Sequence, residues 1–163
     1  MKTFSLHKIL HLARVASTVA VCVALGCMFY ACKNSDLWND VPPKVESFIN
    51  QYFPMSQLQS VTKSGGVLHI RIDDGPGLTF DSNNDWESID GYGMPLPQVL
   101  LFDQLPPALY DYLQETQNLD SVFSMMRDGV RYTLALLNFD LYYNAESGEL
   151  TSSQADDDSA AKS

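Results

Sequence analysis

The chain has 163 residues, 45% of them apolar and 18% charged, the composition of about one folded domain. Its 20 acidic residues against ten basic ones exclude nucleic acid as a partner and disfavour an anionic lipid face. Only one histidine, His69, lies beyond the first stretch of sequence, so metal and nucleophilic chemistry have little to work with.

The chain opens on a basic stretch, with Lys2, His7, Lys8, His11 and Arg14, and then runs from Val15 to Ala31 without a charge. Basic and then apolar is the pattern of a secretory signal. The alternative is an uncleaved N-terminal anchor helix. All three cysteines, Cys22, Cys27 and Cys32, fall in or at the end of this segment, which suggests a lipoprotein signal peptide over residues 1–31. Lipidation at Cys32 fits best, because Lys33-Asn34-Ser35-Asp36 turns polar at once; Cys27 is the alternative and would leave Met28-Phe29-Tyr30 on the mature terminus. Acyl chains contribute about 0.8 kcal/mol per buried methylene, so such a lipid is the membrane anchor. The body without that segment has no disulfide and must be held by its core alone. It keeps seven Lys and Arg against 20 Asp and Glu, a net charge of −13.

Residues 32–40 read as a polar tether, and Asp40 is placed to cap a helix entered through Pro42 and Pro43. Val45, Phe48, Ile49 and Tyr52 then stand at i, i+3, i+4 and i+7, the stripe of a helix lying on a core, and Pro54 stops it. Four extended stretches follow, over 57–63, 67–73, 78–81 and 85–90. Ser64-Gly65-Gly66, Asp74-Gly75-Pro76-Gly77 and Ser82-Asn83-Asn84 separate them, so they read as antiparallel hairpins. Gly91-Tyr92-Gly93-Met94-Pro95 breaks the pattern, and 96–103 is apolar enough for a short buried helical turn. A second helix over 106–115 and strands near 121–127, 130–137, 140–144 and 149–151 repeat the plan, before a small polar tail from Ser152 that composition marks as disordered.

The two halves match at a fixed spacing of 64 residues. Val45, Phe48 and Ile49 become Leu109, Tyr112 and Leu113, and Leu68, Ile70 and Ile72 become Tyr132, Leu134 and Leu136. A fixed period carried through helix and strand alike marks a duplicated unit. The expected segments are therefore 1–31 signal, 32–40 tether, 41–90 first repeat, 91–104 linker, 105–151 second repeat and 152–163 acidic tail. Alternation places Leu68, Ile70 and Ile72 against the helix and His69, Arg71 and Asp73 on the other face, with Arg131, Thr133 and Ala135 facing away in the second copy.

The run from Val41-Pro42-Pro43 to Tyr52-Phe53-Pro54, and then Gly77-Leu78-Thr79-Phe80-Asp81 through Trp86-Glu87-Ser88-Ile89-Asp90, resembles the PepSY-like exported proteins. That family is similar in fold to the β-lactamase inhibitory protein and consists mostly of lipoproteins or secreted proteins of Bacteroides-type bacteria. The resemblance covers roughly residues 41–150 and is stronger in the first copy; the second has Tyr143 to Leu150 where the family has Phe-Asp-x-x-Gly-x-Trp. It implies an α+β fold of two tandem repeats, each one helix packed on a four-stranded antiparallel meander. It also implies a binding or inhibitory role, by analogy alone.

Each candidate chemistry has a plainer explanation. Asp81-Ser82-Asn83-Asn84-Asp85 offers oxygens at calcium-loop positions 1, 3 and 5. Trp86 then stands where glycine is needed and Tyr92 where a bidentate glutamate is needed, so a β-turn explains the run without an ion. His69 sits on a regular strand with no nucleophile elbow in the chain, and Asp73-Asp74 and Glu87/Asp90 are pairs expected by chance among 20 acids. Tyr52, Phe53 and Trp86 read as packing.

The expectation is a non-enzymatic envelope lipoprotein without cofactor or metal, lipid-anchored to the outer membrane in the periplasm or at the cell surface. It binds an exported protein or peptide, with inhibition one outcome. The alternative is a structural or sensory accessory recognising peptide or glycan, and a hydrolase is the third reading. The candidate contact surface is the sheet face away from the helices, carrying His69, Arg71, Thr79 and Tyr142.

Overall fold

The structure is a computed structural model in which residues 35–154 are described. The stretch expected to be a signal, with Cys27 and Cys32, and the tail beyond Gln154 lie outside the described residues. After a four-residue helical turn α1 (Ser35–Trp38), the first unit comprises α2 (Pro43–Tyr52), β1 (Leu58–Ser64), β2 (Val67–Ile72), β3 (Gly77–Phe80) and β4 (Trp86–Asp90). A short α3 (Gln98–Gln104) leads to α4 (Pro107–Glu115), a 3₁₀ turn at Leu119–Ser121, and β5 (Val122–Asp128), β6 (Arg131–Leu136), β7 (Phe139–Asn144) and β8 (Leu150–Gln154). All eight strands form one antiparallel sheet in sequence order, β1 to β8. Among the described residues no helix is long and apolar enough to cross a membrane.

Period-two alternation sets the register. One cross-strand row on the helix side runs Val61, Ile70, Leu78, Ile89, Met125, Leu134 and Leu141, and from Ile70 onward every member is buried. The helices answer with the stripes their spacing requires. Val45 and Ile49 of α2, Leu100 and Leu101 of α3, and Leu109 and Leu113 of α4 are fully or almost fully buried in the same core. The 64-residue equivalence survives in space, since Val45 and Ile49 occupy in the first unit what Leu109 and Leu113 occupy in the second. Phe48 meets Phe80 edge to face at 5.4 Å, which seats α2 on β3.

Three local expectations change. The stretch written as a tether contains α1, and Leu37 and Trp38 pack on the core, so side-chain burial overrides a polar composition. Asp40 does not cap α2. The N-cap is Pro42, with no side-chain cap bond, and the Pro42 carbonyl accepts the Glu46 N–H at 2.9 Å. β8 runs past the expected end at Thr151, because Ser152, Ser153 and Gln154 pair with Leu141, Asp140 and Phe139. Small polar residues suffice for an outermost strand whose contribution is backbone hydrogen bonding.

A polar relay crosses the core between the units. Trp86 Nε1 donates to Gln104 Oε1 at 2.8 Å, Gln104 Nε2 donates to the Tyr52 hydroxyl at 2.7 Å, and that hydroxyl donates to Asp103 Oδ2 at 3.2 Å. The relay ties β4, α3 and α2 together while giving buried polar atoms partners. Burial raises the Tyr52 hydroxyl above its usual pKa of 10.0, and the neighbouring Asp103 adds to the rise. A raised folded value means the contribution is intact below pH 10 and is lost as pH climbs through the folded value. Stability measured by urea unfolding should therefore drop more steeply above pH 10 in the native chain than in Tyr52→Phe.

Candidate functional site

Among the described residues the helices all pack on one face of the sheet, which leaves the other face open. Two transverse rows define that open face. The first runs Thr62, His69, Thr79, Ser88 and then, across the β4–β5 junction, Met126, Thr133, Tyr142 and Thr151. The second runs Ser60, Arg71, Gly77 and Asp90, then Ser124, Ala135, Asp140 and Ser153. None of these residues is buried. At about 4.8 Å per strand each row spans about 34 Å.

The four residues expected on this face all stand on it. His69 Nδ1 lies 3.3 Å from Thr79 Oγ1, and Arg71 occupies the neighbouring row. Tyr142 is four strands from Thr79, about 19 Å, so the structure groups three of the four and sets Tyr142 apart. Each group lines its own shallow depression. The first, about 270 Å³, includes His69, Arg71, Thr79, Ser88, Asp90 and Tyr92. The second, about 340 Å³, includes Arg131, Thr133, Tyr142, Asn144 and Thr151. Met126 and Tyr142 are the exposed apolar side chains of the long row, 53% and 41% accessible.

Sequence reasoning treated Tyr92 as part of a breaker and missed its position. Its ring lies over the open face against Arg71, with the guanidinium carbon 3.4 Å from the ring centroid. Three features hold it there. The Tyr92 N–H donates to Asp90 Oδ1 at 2.8 Å, and Tyr92 itself adopts φ 50°, a left-handed conformation uncommon for a bulky residue. A side chain on Gly77, beneath the ring, would displace the ring: a Cβ there would lie 2.7 Å from the Tyr92 hydroxyl and 2.9 Å from its Cε2. A glycine inside a strand signals such a close approach, and that was the available clue.

The acidic candidates are occupied by turn structure. Asp81 Oδ1 accepts the N–H groups of Asn83 and Asp85, each at 2.8 Å, and these bonds hold its carboxyl below the ordinary value of 3.8. Lys44 Nζ reaches Asp85 Oδ1 at 2.8 Å and so pins α2 to the β3–β4 turn. Both partners of that ion pair are about half exposed, so it is worth at most about 1 kcal/mol. Asp74 has φ 49° within the β2–β3 turn. Among the described residues no group of three or more His, Cys, Asp or Glu side chains is placed to hold a metal.

No protein-family model matches the chain, and no functionally curated protein does. Solved structures do. A Bacteroides vulgatus protein of unknown function, provisionally described as periplasmic, is 21% identical with a TM-score of 0.59, over 71% of this chain and 93% of that one. A Bacteroides thetaiotaomicron protein, provisionally described as calcium-regulated and periplasmic, is 22% identical with a TM-score of 0.57, over 69% of this chain and 89% of that one. A second Bacteroides vulgatus protein, of the DUF2874 family, is 18% identical at a TM-score of 0.57 with the same coverage. Identity this low shows a shared α+β fold and nothing finer.

The segment carrying Tyr92 is anchored by Gly91, whose N–H donates to the Phe123 carbonyl at 2.8 Å. A Cβ on Gly91 would collide with the Met94 carbonyl oxygen and lie 2.9 Å from that of Phe123. Gly91→Ala should cost about 1–3 kcal/mol by urea unfolding. A change under a few tenths of a kcal/mol would show that this backbone moves aside.

Proposed function

We propose that this chain is a non-enzymatic exported protein that binds a protein or peptide partner with the open face of its sheet. The observation that carries the reading is the continuity of that face. It crosses all eight strands, no helix of the described residues covers it, and exposed Tyr, Met and Arg side chains stand on it. These are residue types enriched where proteins meet. An area about 34 Å long matches a standard protein interface better than a small-molecule site, since both depressions are shallow and polar.

The chemistry of the face supports binding rather than turnover. His69, the one histidine among the described residues, contacts Thr79 within a regular strand and has no carboxylate hydrogen-bonded to it. The segment before the domain supports export, with lipid on Cys32 or on Cys27 as its membrane anchor. A PepSY-like relationship, and a role as an inhibitor, belong to the same reading; the fold shared with the Bacteroides proteins is compatible with both.

The test is recovery of a complex from the native envelope. Tagged protein should bring down one exported protein in stoichiometric amount, and the Arg71→Ala/Tyr142→Ala double variant should lose it while melting normally. Recovery of lipid and abundant porins alone would end the binding reading. Separately, Cys32→Ser should abolish lipid labelling; loss of labelling in Cys27→Ser instead would move the acylated residue.

A further inference from the structure

We propose that the depression around Arg71 is a carboxylate-binding subsite, and that its occupant is an Asp or Glu side chain of a protein partner. The inference rests on the binding role of the open face and names the chemistry that one part of it recognises.

Three observations converge. The first is what Arg71 lacks. Acids outnumber bases two to one in this chain, yet among the described residues Arg71 makes no ion pair and no side-chain hydrogen bond; its specific contact there is with the Tyr92 ring. With its central carbon 3.4 Å over the ring, the guanidinium is held at one place on the face while its N–H donors remain unspent among the described residues. A fork of donors held in one plane is complementary to a carboxylate, which it can engage through two parallel hydrogen bonds.

The second is how much local structure exists to hold that arrangement. Gly77 is required beneath the ring, Tyr92 sits at positive φ, and Asp90 ties down the Tyr92 backbone. Uncommon backbone held by its surroundings is a marker of functional positions. None of these features adds to the core, which lies on the other side of the sheet. Around the guanidinium stand the neutral hydroxyls of Ser60, Thr62, Thr79 and Ser88. Asp90 shares the depression, with Oδ1 engaged by the Tyr92 N–H and Gly77 between it and Arg71 in the row.

The third is an internal control. The position equivalent to Arg71 in the second unit is Ala135, and Asp140 stands where the first has Gly77. The same strand pairing therefore forms without the arginine and without the glycine. Packing does not require either one, and the subsite is a property of the first unit. A protein carboxylate is favoured over a free small acid because the adjacent row, which enters the depression through His69, Thr79 and Ser88, continues past it to exposed Met126 and Tyr142, which would contact the rest of such a partner.

The probe is a fluorescein-labelled octaglutamate peptide, measured by anisotropy with the complete chain at low salt, against octaglutamine as the neutral control. Octaglutamate should bind and octaglutamine should not. Arg71→Ala should weaken binding about tenfold or more, the size expected for a lost charged hydrogen bond. Lys63→Gln removes the same charge elsewhere and should bind like the native chain. Arg71→Lys keeps the charge but loses the planar fork, and should not restore full affinity. Equal binding by native protein and Arg71→Ala overturns the inference, as does absence of octaglutamate binding. Competition by free glutarate at the concentration that saturates the peptide would assign the site to small acids. Equal affinity for polygalacturonate would assign it to acidic glycans. Either result overturns the protein assignment.

Photocrosslinkers placed singly at Thr79 and at Tyr142 in native cells separate the two levels. Adducts with one partner that persist in Arg71→Ala sink the carboxylate subsite and leave the binding face standing. Arg71-dependent peptide binding without any adduct from Thr79 or Tyr142 does the reverse.

Discussion

The seam between β4 and β5 is the constraint on which the rest depends. Only three residue pairs make it, Ser88 with Met126, Ile89 with Met125 and Asp90 with Ser124, and no hairpin enforces it because the linker and two helices intervene. The linker backbone reinforces it, with the Gly91 N–H on the Phe123 carbonyl and the Leu96 N–H on that of Val122, each at 2.8 Å. Once that seam forms, two meanders become one sheet with one inside and one outside. Helices from both units must then lie on the same face, since Ile89 and Met125 at the seam are buried there. The open face is as long as it is for the same reason.

Against that common frame the two units divide into what is repeated and what is not. Repeated positions carry packing: Val45 and Leu109, Ile49 and Leu113, Ile70 and Leu134. The unrepeated ones carry polarity. Trp86 donates into the relay through Gln104, whereas its counterpart Leu150 has no donor to offer. Arg71 and Gly77 give way to Ala135 and Asp140. The absence of Arg71 and Gly77 from the second unit leaves its strand pairing intact, because both positions lie on the solvent side of the sheet.

Much of the fold was legible because its signals are local. Alternation at Leu68, Ile70 and Ile72, helical spacing at Val45 to Tyr52, and Gly- and Asn-rich turns place the regular elements within about two residues of where they stand, the end of β8 excepted. The seam was not legible, since no turn announces it and short-range pattern says nothing of which distant strands pair. The α1 turn was missed because its four residues owe their conformation to where Leu37 and Trp38 are buried. Alternation alone put His69, Arg71 and Thr79 on the open face. Tyr92 escaped because its position depends on a missing Cβ on another strand, a relation visible only in three dimensions.

The order of strands also bears on how copies of the chain meet. β8 has a single neighbour, β7, so its outer backbone groups face no strand among the described residues. Such an edge is a template for sheet-to-sheet addition, and Leu150–Gln154 carries neither lysine nor proline to discourage it. The residues that follow do carry a deterrent. Asp156, Asp157 and Asp158 follow β8 in the sequence, so each copy adds three negative charges next to this strand in the chain. Resistance to edge-to-edge association then rests on charge that follows the strand in the sequence rather than on the strand itself.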